Sequence, residues 1–173
     1  LGDNTDAQGV RAALEAAVPG GVAALRGRSA GVLGAGGVAR AVVTVLMDLG
    51  CRVIVFNRTA ARAAELAREF GCETRPWAAR STPVDVLVNC TSVGLWPDVD
   101  ATPLADEDVP RGAVVMDTIY RPRETRLLRA ARAQGCVVVD GLELFIQQAA
   151  AQFEQWQGTA APLAAMRAAI GDS

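Results

Sequence analysis

The chain has 173 residues, about the size of one domain, and half of them are apolar, which excludes disorder and fits a single packed core. A formal charge of −2 offers no electrostatic footprint for nucleic acid, and no apolar run approaches the roughly 18 residues of a membrane span, so neither is expected as a partner. There is no His and no Lys, all 17 basic residues being Arg, so the usual general base, the commonest metal ligand and any titratable ammonium must come from elsewhere.

The chain opens on LGDNTDAQG, without Met, and reads as a fragment of a longer protein. Asp6 suits two roles there, the N-cap of a helix beginning near Ala7 or a reacting carboxylate. SAGVLG (29–34) is the first strand, and GVARAVVTVLMDLG (37–50) is a helix that stops at Gly50. CRVIVF (51–56) is the second strand, followed by the helix TAARAAELAREFG (59–71), with Thr59 as N-cap and Gly71 as its stop. CETRP (72–76) is polar and ends in Pro, the profile of an edge strand. VDVLVN (84–89) and AVVMDT (113–118) are uniformly apolar strands; Asp117 in the second braces the following turn rather than reacts. ETRLLRAARAQG (124–135) is a helix and CVVVD (136–140) the last strand, and two helices close the chain, from Glu143 to about Gln157 and from Pro162 to about Ile170. This alternation predicts an α/β, Rossmann-like, doubly wound domain over 1–173, with a mostly parallel sheet of about six strands and helices on both faces. Cys51, Cys72, Cys90 and Cys136 are widely spaced and read as small buried hydrophobes in a reducing cytoplasm. Trp77, Trp96 and Trp156 read as packing or partner-facing residues, since no basic groove accompanies them in the sequence.

The first strand runs into GAGGVAR and straight on into a helix. Gly34, Ala35, Gly36 and Gly37 form a tight turn that lets a pyrophosphate approach backbone N–H groups at a helix N-terminus, although a glycine turn without a ligand has the same look. The end of the second strand carries Asn57, Arg58 and Thr59, with Arg62 one helical turn beyond Arg58 and no acid before Glu65. An NAD site places Asp or Glu there for the ribose 2′-OH, whereas guanidinium groups suit a 2′-phosphate, so NADP is the expected cofactor. Arg62 also suits a solvated helix face. Thr91 and Ser92, in NCTSVG at the end of the fourth strand, are candidate donors to the ligand, as they would be in any polar loop.

Six stretches in order, GDNTDAQG, GAGGVARA, NRTAAR, NCTSVG, MDTIYRPRET and GLELFIQQAAAQFEQWQG, resemble the C-terminal, NADP-binding domain of the shikimate dehydrogenase family. The last is similar to versions fused behind a dehydroquinate dehydratase. The resemblance implies a cytoplasmic oxidoreductase of aromatic amino acid (chorismate) biosynthesis that reduces 3-dehydroshikimate to shikimate with NADPH. It implies that Asp6 is the catalytic carboxylate, paired with a Lys of an N-terminal substrate domain, and that Asn4 and Thr5 shape that edge of the cleft. Gln148 is then the residue that hydrogen-bonds substrate hydroxyls, and Tyr120 and Gly141 close around nicotinamide and substrate. Residues 1–173 would be the nucleotide half, without the substrate domain and inactive alone. Two alternatives are an NAD-dependent quinate/shikimate dehydrogenase, against which Arg58 argues, and a non-catalytic nucleotide- or metabolite-sensing domain, against which Asp6 and Gln148 argue. Leu144, Phe145, Phe153 and Trp156 are expected as apolar surface lacking a partner.

Overall fold

A computed structural model describes residues 5–170, for Ile170 the backbone only. The elements are α1 Thr5–Ala17, β1 Ser29–Leu33, α2 Gly37–Asp48, β2 Arg52–Asn57, α3 Ala60–Phe70, β3 Glu73–Pro76, β4 Val86–Asn89, β5 Val114–Asp117, α4 Arg126–Ala133, β6 Val137–Val139, α5 Gly141–Gln157 and α6 Leu163–Ile170. Short 3-10 turns lie at Val22–Leu25, Trp77–Ala79 and Asp106–Asp108.

The six strands form one sheet in the order β3-β2-β1-β4-β5-β6, and all five pairings are parallel. Polar, largely exposed β3 lies at an edge, as its Pro76 and Glu73 require. The central strands alternate between two cores. Val32, Val53, Val55, Val86, Val88, Val114 and Met116 face one layer with Val10, Leu14, Val42, Leu46, Leu66 and Leu144 from α1, α2, α3 and α5. Leu33, Ile54, Phe56, Leu87 and Val115 face the other, with Leu127 and Leu128 from α4. That second face carries one helix only. The segment from 90 to 113, with Pro97, Pro103 and Pro110, takes the place of a crossover helix and inserts Leu104 and Val109 into the core.

Helix ends follow local chemistry. Gly71, left-handed at φ 69°, ends α3, and Gly50 (φ 77°) follows α2. Thr125 caps α4, its hydroxyl accepting from the Leu128 N–H at 3.3 Å, and Asp140 caps α5 by accepting from the Glu143 N–H at 2.8 Å. Two expectations change. Thr59 occupies the N-cap position of α3, but its side chain makes no capping bond. Leu144 is 7 % exposed and part of the core rather than surface, because it sits on the inner face of α5; Phe145 and Trp156 are exposed, and Phe153 is half-buried. Among the described residues no helix is long and apolar enough to cross a membrane.

Candidate active site at the carboxyl edge of the sheet

The registers set Leu33 beside Phe56 and Asn89, Asn89 beside Asp117, and Asn57 beside Pro76. All these strands therefore release their chains at one edge, where ligands bind in open α/β sheets. Gly34 leaves β1 at φ 108°, its N–H donating to the Phe56 carbonyl at 2.8 Å. A Cβ at Gly34 would lie 2.9 Å from the Cys90 carbonyl oxygen, so both backbone conformation and space demand glycine. Gly36 and Gly37 face open space instead, and no side chain caps the start of α2. Backbone N–H groups at that helix end are thus accessible to an anion.

A recess of about 180 Å³ gathers Gly34, Ala35, Gly36, Asn57, Arg58, Arg62, Thr91 and Ser92, together with Trp77, Cys90 and Val93. Most of the residues singled out for a cofactor therefore line one concavity. Arg58 and Arg62 are exposed, and their guanidinium groups make no ion pair or hydrogen bond with other described residues. Asn57 Nδ2 donates to the Thr59 carbonyl at 2.9 Å, shaping the turn that presents Arg58. Gly37 and Thr59 flank the recess without lining it, as the first residue of α2 and the residue before α3. A larger, open groove of about 540 Å³ lies where β1, β2 and β3 begin, around Ser29, Arg52 and Glu73, away from the loops that gather these side chains.

A buried network holds the loop after β4. Asn89 and Asp117 are fully buried. Asp117 Oδ1 accepts from Asn89 Nδ2 at 3.0 Å and from the Ile119 N–H at 3.1 Å, and Oδ2 accepts from the Thr125 hydroxyl at 2.7 Å. Asn89 Oδ1 in turn accepts from the Thr91 N–H and hydroxyl at 3.0 and 2.7 Å. Burial pushes the Asp117 carboxyl up to about 6, against the pull of these donors. Asp117 therefore braces two loops, as the sequence suggests. Thr91, expected as a donor to a ligand, spends its hydroxyl inside the loop, where it also accepts from the Val93 N–H at 3.2 Å. The Asn89–Asp117–Thr125 linkage was missed by sequence reasoning; three polar residues at strand ends and a helix cap are its only sequence signal.

The substrate-side candidates form a second cluster on α1 and α5. Asp6 lies inside the first turn of α1 rather than before it, so it is not the N-cap. Its Oδ1 accepts from Gln148 Nε2, and Gln152 Nε2 donates to the Thr5 hydroxyl at 3.3 Å. The helices cross closely because Gly9 faces Gln148: a Cβ there would stand 3.0 Å from the Gln148 backbone nitrogen. Tyr120 is 56 % exposed and stacks on Phe145 with ring centroids 5.7 Å apart. Gly141 is buried, and a Cβ on it would overlap the Ile119 carbonyl, so its glycine lets α5 start hard against the loop that carries Tyr120. Asn4 lies outside the described residues. These described residues form no cluster of His, Cys, Asp and Glu able to hold a metal.

The family model for shikimate/quinate 5-dehydrogenase matches residues 19–93, and that for the shikimate 5′-dehydrogenase C-terminal domain matches residues 141–170. Shikimate dehydrogenase (NADP(+)) of Methylocella silvestris is 45% identical over 166 residues, covering 91% of this chain and 57% of that protein. Shikimate 5-dehydrogenase of Thermus thermophilus, solved in complex with NADP(H) and shikimate, superposes with a TM-score of 0.84 at 41% identity, over 94% of this chain and 60% of that one. Quinate dehydrogenase of Corynebacterium glutamicum in complex with NAD superposes with a TM-score of 0.82 at 31% identity, over 95% and 61%. The chain thus spans about three fifths of the relatives it matches. With the predicted fold, the ordered loops and both family models in agreement, the chain belongs to the shikimate dehydrogenase family.

Proposed function

We propose that residues 1–173 form the nucleotide-binding half of an NADP-dependent shikimate dehydrogenase, reducing 3-dehydroshikimate to shikimate together with a substrate domain outside these residues. The observation that carries this reading is the recess in which the open glycine turn, Arg58 and Arg62 converge with no acid at the end of β2. The residues fit NADP: backbone donors at the start of α2 suit a pyrophosphate, and two unpaired guanidinium groups suit a 2′-phosphate. Four free thiols fit a reducing, cytoplasmic setting.

When bound, the nicotinamide supplies hydride to the substrate ketone. The carbonyl oxygen then gains negative charge and needs a proton. Asp6, held by Gln148, presents a half-buried carboxylate at the end of α1. We assign it the role of orienting a Lys ammonium from outside these residues, which delivers that proton to the oxygen. To Gln148, Thr5 and Tyr120, and to Asn4 from its place in the sequence, we assign the binding of substrate hydroxyls; Gly141 keeps the Tyr120 loop close to α5. Gly37 and Thr59 support the nucleotide turn through their backbones, and Ser92, which lines the recess, contributes its hydroxyl.

Calorimetric titration with NADP and NAD tests the reading. At least a tenfold preference for NADP is expected, collapsing to near equality in Arg58→Ala/Arg62→Ala; a guanidinium–phosphate pair accounts for a preference of about that order. Equal affinities in the unaltered chain would refute the phosphate clamp. Shikimate and NADP incubated with residues 1–173 alone should yield no reduced cofactor, and turnover would refute the need for an outside lysine.

A further inference from the structure

Trp77 reads from the sequence as a packing or partner-facing residue rather than a base platform, yet it lines the recess with Arg58 and Arg62. The β2–β3 register explains how. Asn57 pairs with Pro76, so the next residues on the two strands, Arg58 and Trp77, leave the sheet side by side. Trp77 begins the 3-10 turn there and is half-buried, with part of its surface against the core cluster of Leu33, Ile54 and Phe56. The Arg80 guanidinium stands over the indole at 4.9 Å from the ring centroid. Arg80 is itself fixed, Nε donating to the Pro103 carbonyl at 2.6 Å and Nη1 to the Trp77 carbonyl at 3.2 Å. The indole is therefore a rigid wall with a basic surround that the linear sequence conceals.

We propose that Trp77, braced by Arg80, is the wall against which the adenine base rests, while Arg58 and Arg62 take the 2′-phosphate of the same nucleoside. The base is attached to C1′ of the ribose and the phosphate to C2′, on neighbouring carbons. Whatever binds the two must place an aromatic or apolar surface within a few ångströms of cationic donors. Trp77 beside Arg58 is that pairing, and no other aromatic residue lines the recess. This inference rests on the nucleotide reading above and adds to it a residue that binds the base. Adenine is common to NADP and NAD, so Trp77 sets affinity for both, whereas the arginines set the choice between them.

The test uses residues 1–173 with Trp96→Phe and Trp156→Phe, both exposed positions, which leaves Trp77 as the only indole. Its fluorescence is followed during titration with 2′,5′-ADP and, separately, with nicotinamide mononucleotide. A saturable change with 2′,5′-ADP and none with the mononucleotide is expected. Trp77→Ala should weaken NADP and NAD alike by about tenfold, the usual scale of losing an aromatic surface under a base, with the NADP/NAD ratio preserved. Trp77→Phe should recover most of that loss, and it keeps the comparison available if the alanine variant unfolds. Arg58→Ala should instead collapse the ratio. Unchanged fluorescence together with unaltered affinity in Trp77→Phe and Trp77→Ala overturns the wall while leaving the nucleotide reading intact. Failure of the unaltered chain to bind 2′,5′-ADP overturns both.

Discussion

Replacing Asp117 with Asn removes the one fully buried carboxylate among the described residues while keeping its shape, and the consequence is a change in how stability depends on pH. Burial raises the folded carboxyl to about 6 from an ordinary 3.8. The folded state therefore holds its proton more tightly than the unfolded chain. The stabilisation is fully present below about pH 4 and is lost as pH rises through about 6. A gap of about two pH units, at roughly 1.4 kcal/mol each, amounts to about 3 kcal/mol, of which about half is lost between pH 5 and pH 8. Asp85 and Glu143 act oppositely. Hydrogen bonds from Ser29 lower the Asp85 carboxyl; burial pushes Glu143 up, but Arg167 and Gln147 outweigh it and hold that carboxyl low. Their contributions fade as pH falls below about 5, outside the measured range. Asn at 117 retains an oxygen for Asn89 and Ile119, and its amide nitrogen donates to the Thr125 hydroxyl, which still caps α4. Urea unfolding followed by circular dichroism from about pH 5 to pH 8 should show the variant gaining about 1.5 kcal/mol on the unaltered chain across that interval. Parallel stability curves would refute the reasoning, since they would mean that Asp117 does not titrate in this range.

Gly34→Ala puts a Cβ 2.9 Å from the Cys90 carbonyl at a left-handed position; it should abolish nucleotide binding by calorimetry and cost about 1–3 kcal/mol. Gly141→Ala drives a methyl into the Ile119 carbonyl, and thermal unfolding should show Tm falling by roughly 5–10 °C. Gln148→Ala leaves Asp6 without its donor. It should lower Tm by about 2–4 °C, in line with about 1 kcal/mol for one part-buried hydrogen bond, with no effect on NADP affinity.

The strands were legible because parallel strands covered on both faces are uniformly apolar, and runs such as VIVF and VLVN have few other uses. Helix ends were legible where a glycine had to turn left-handed, as at Gly71, but the side chain of Thr59 shows that a capping residue type does not guarantee a capping bond. The glycine turn, Arg58 and Arg62 were legible as a group because strand, turn and helix follow each other within one βαβ unit. What escaped depends on register and depth. Trp77 reaches Arg58 only through the β2–β3 pairing, and Asp117 reaches Asn89 only across two strands. Leu144 and Phe145 are neighbours in sequence, and only the rotation of α5 decides which one is buried.

The union of α1 with α5 has a consequence for the order in which the molecule is made. Asp6 and Gln148 are 142 residues apart, and Thr5 and Gln152 are 147 apart. Closing so long a loop carries an entropic penalty and waits on distant sequence. During synthesis the sheet from β1 to β5 can assemble in order, but the α5 side chains that hold Thr5 and Asp6 are made only afterwards. The turn that carries Asp6 thus precedes α5 in the chain yet settles after it, whereas the later part of α1, with Val10 and Leu14, can already pack on α2.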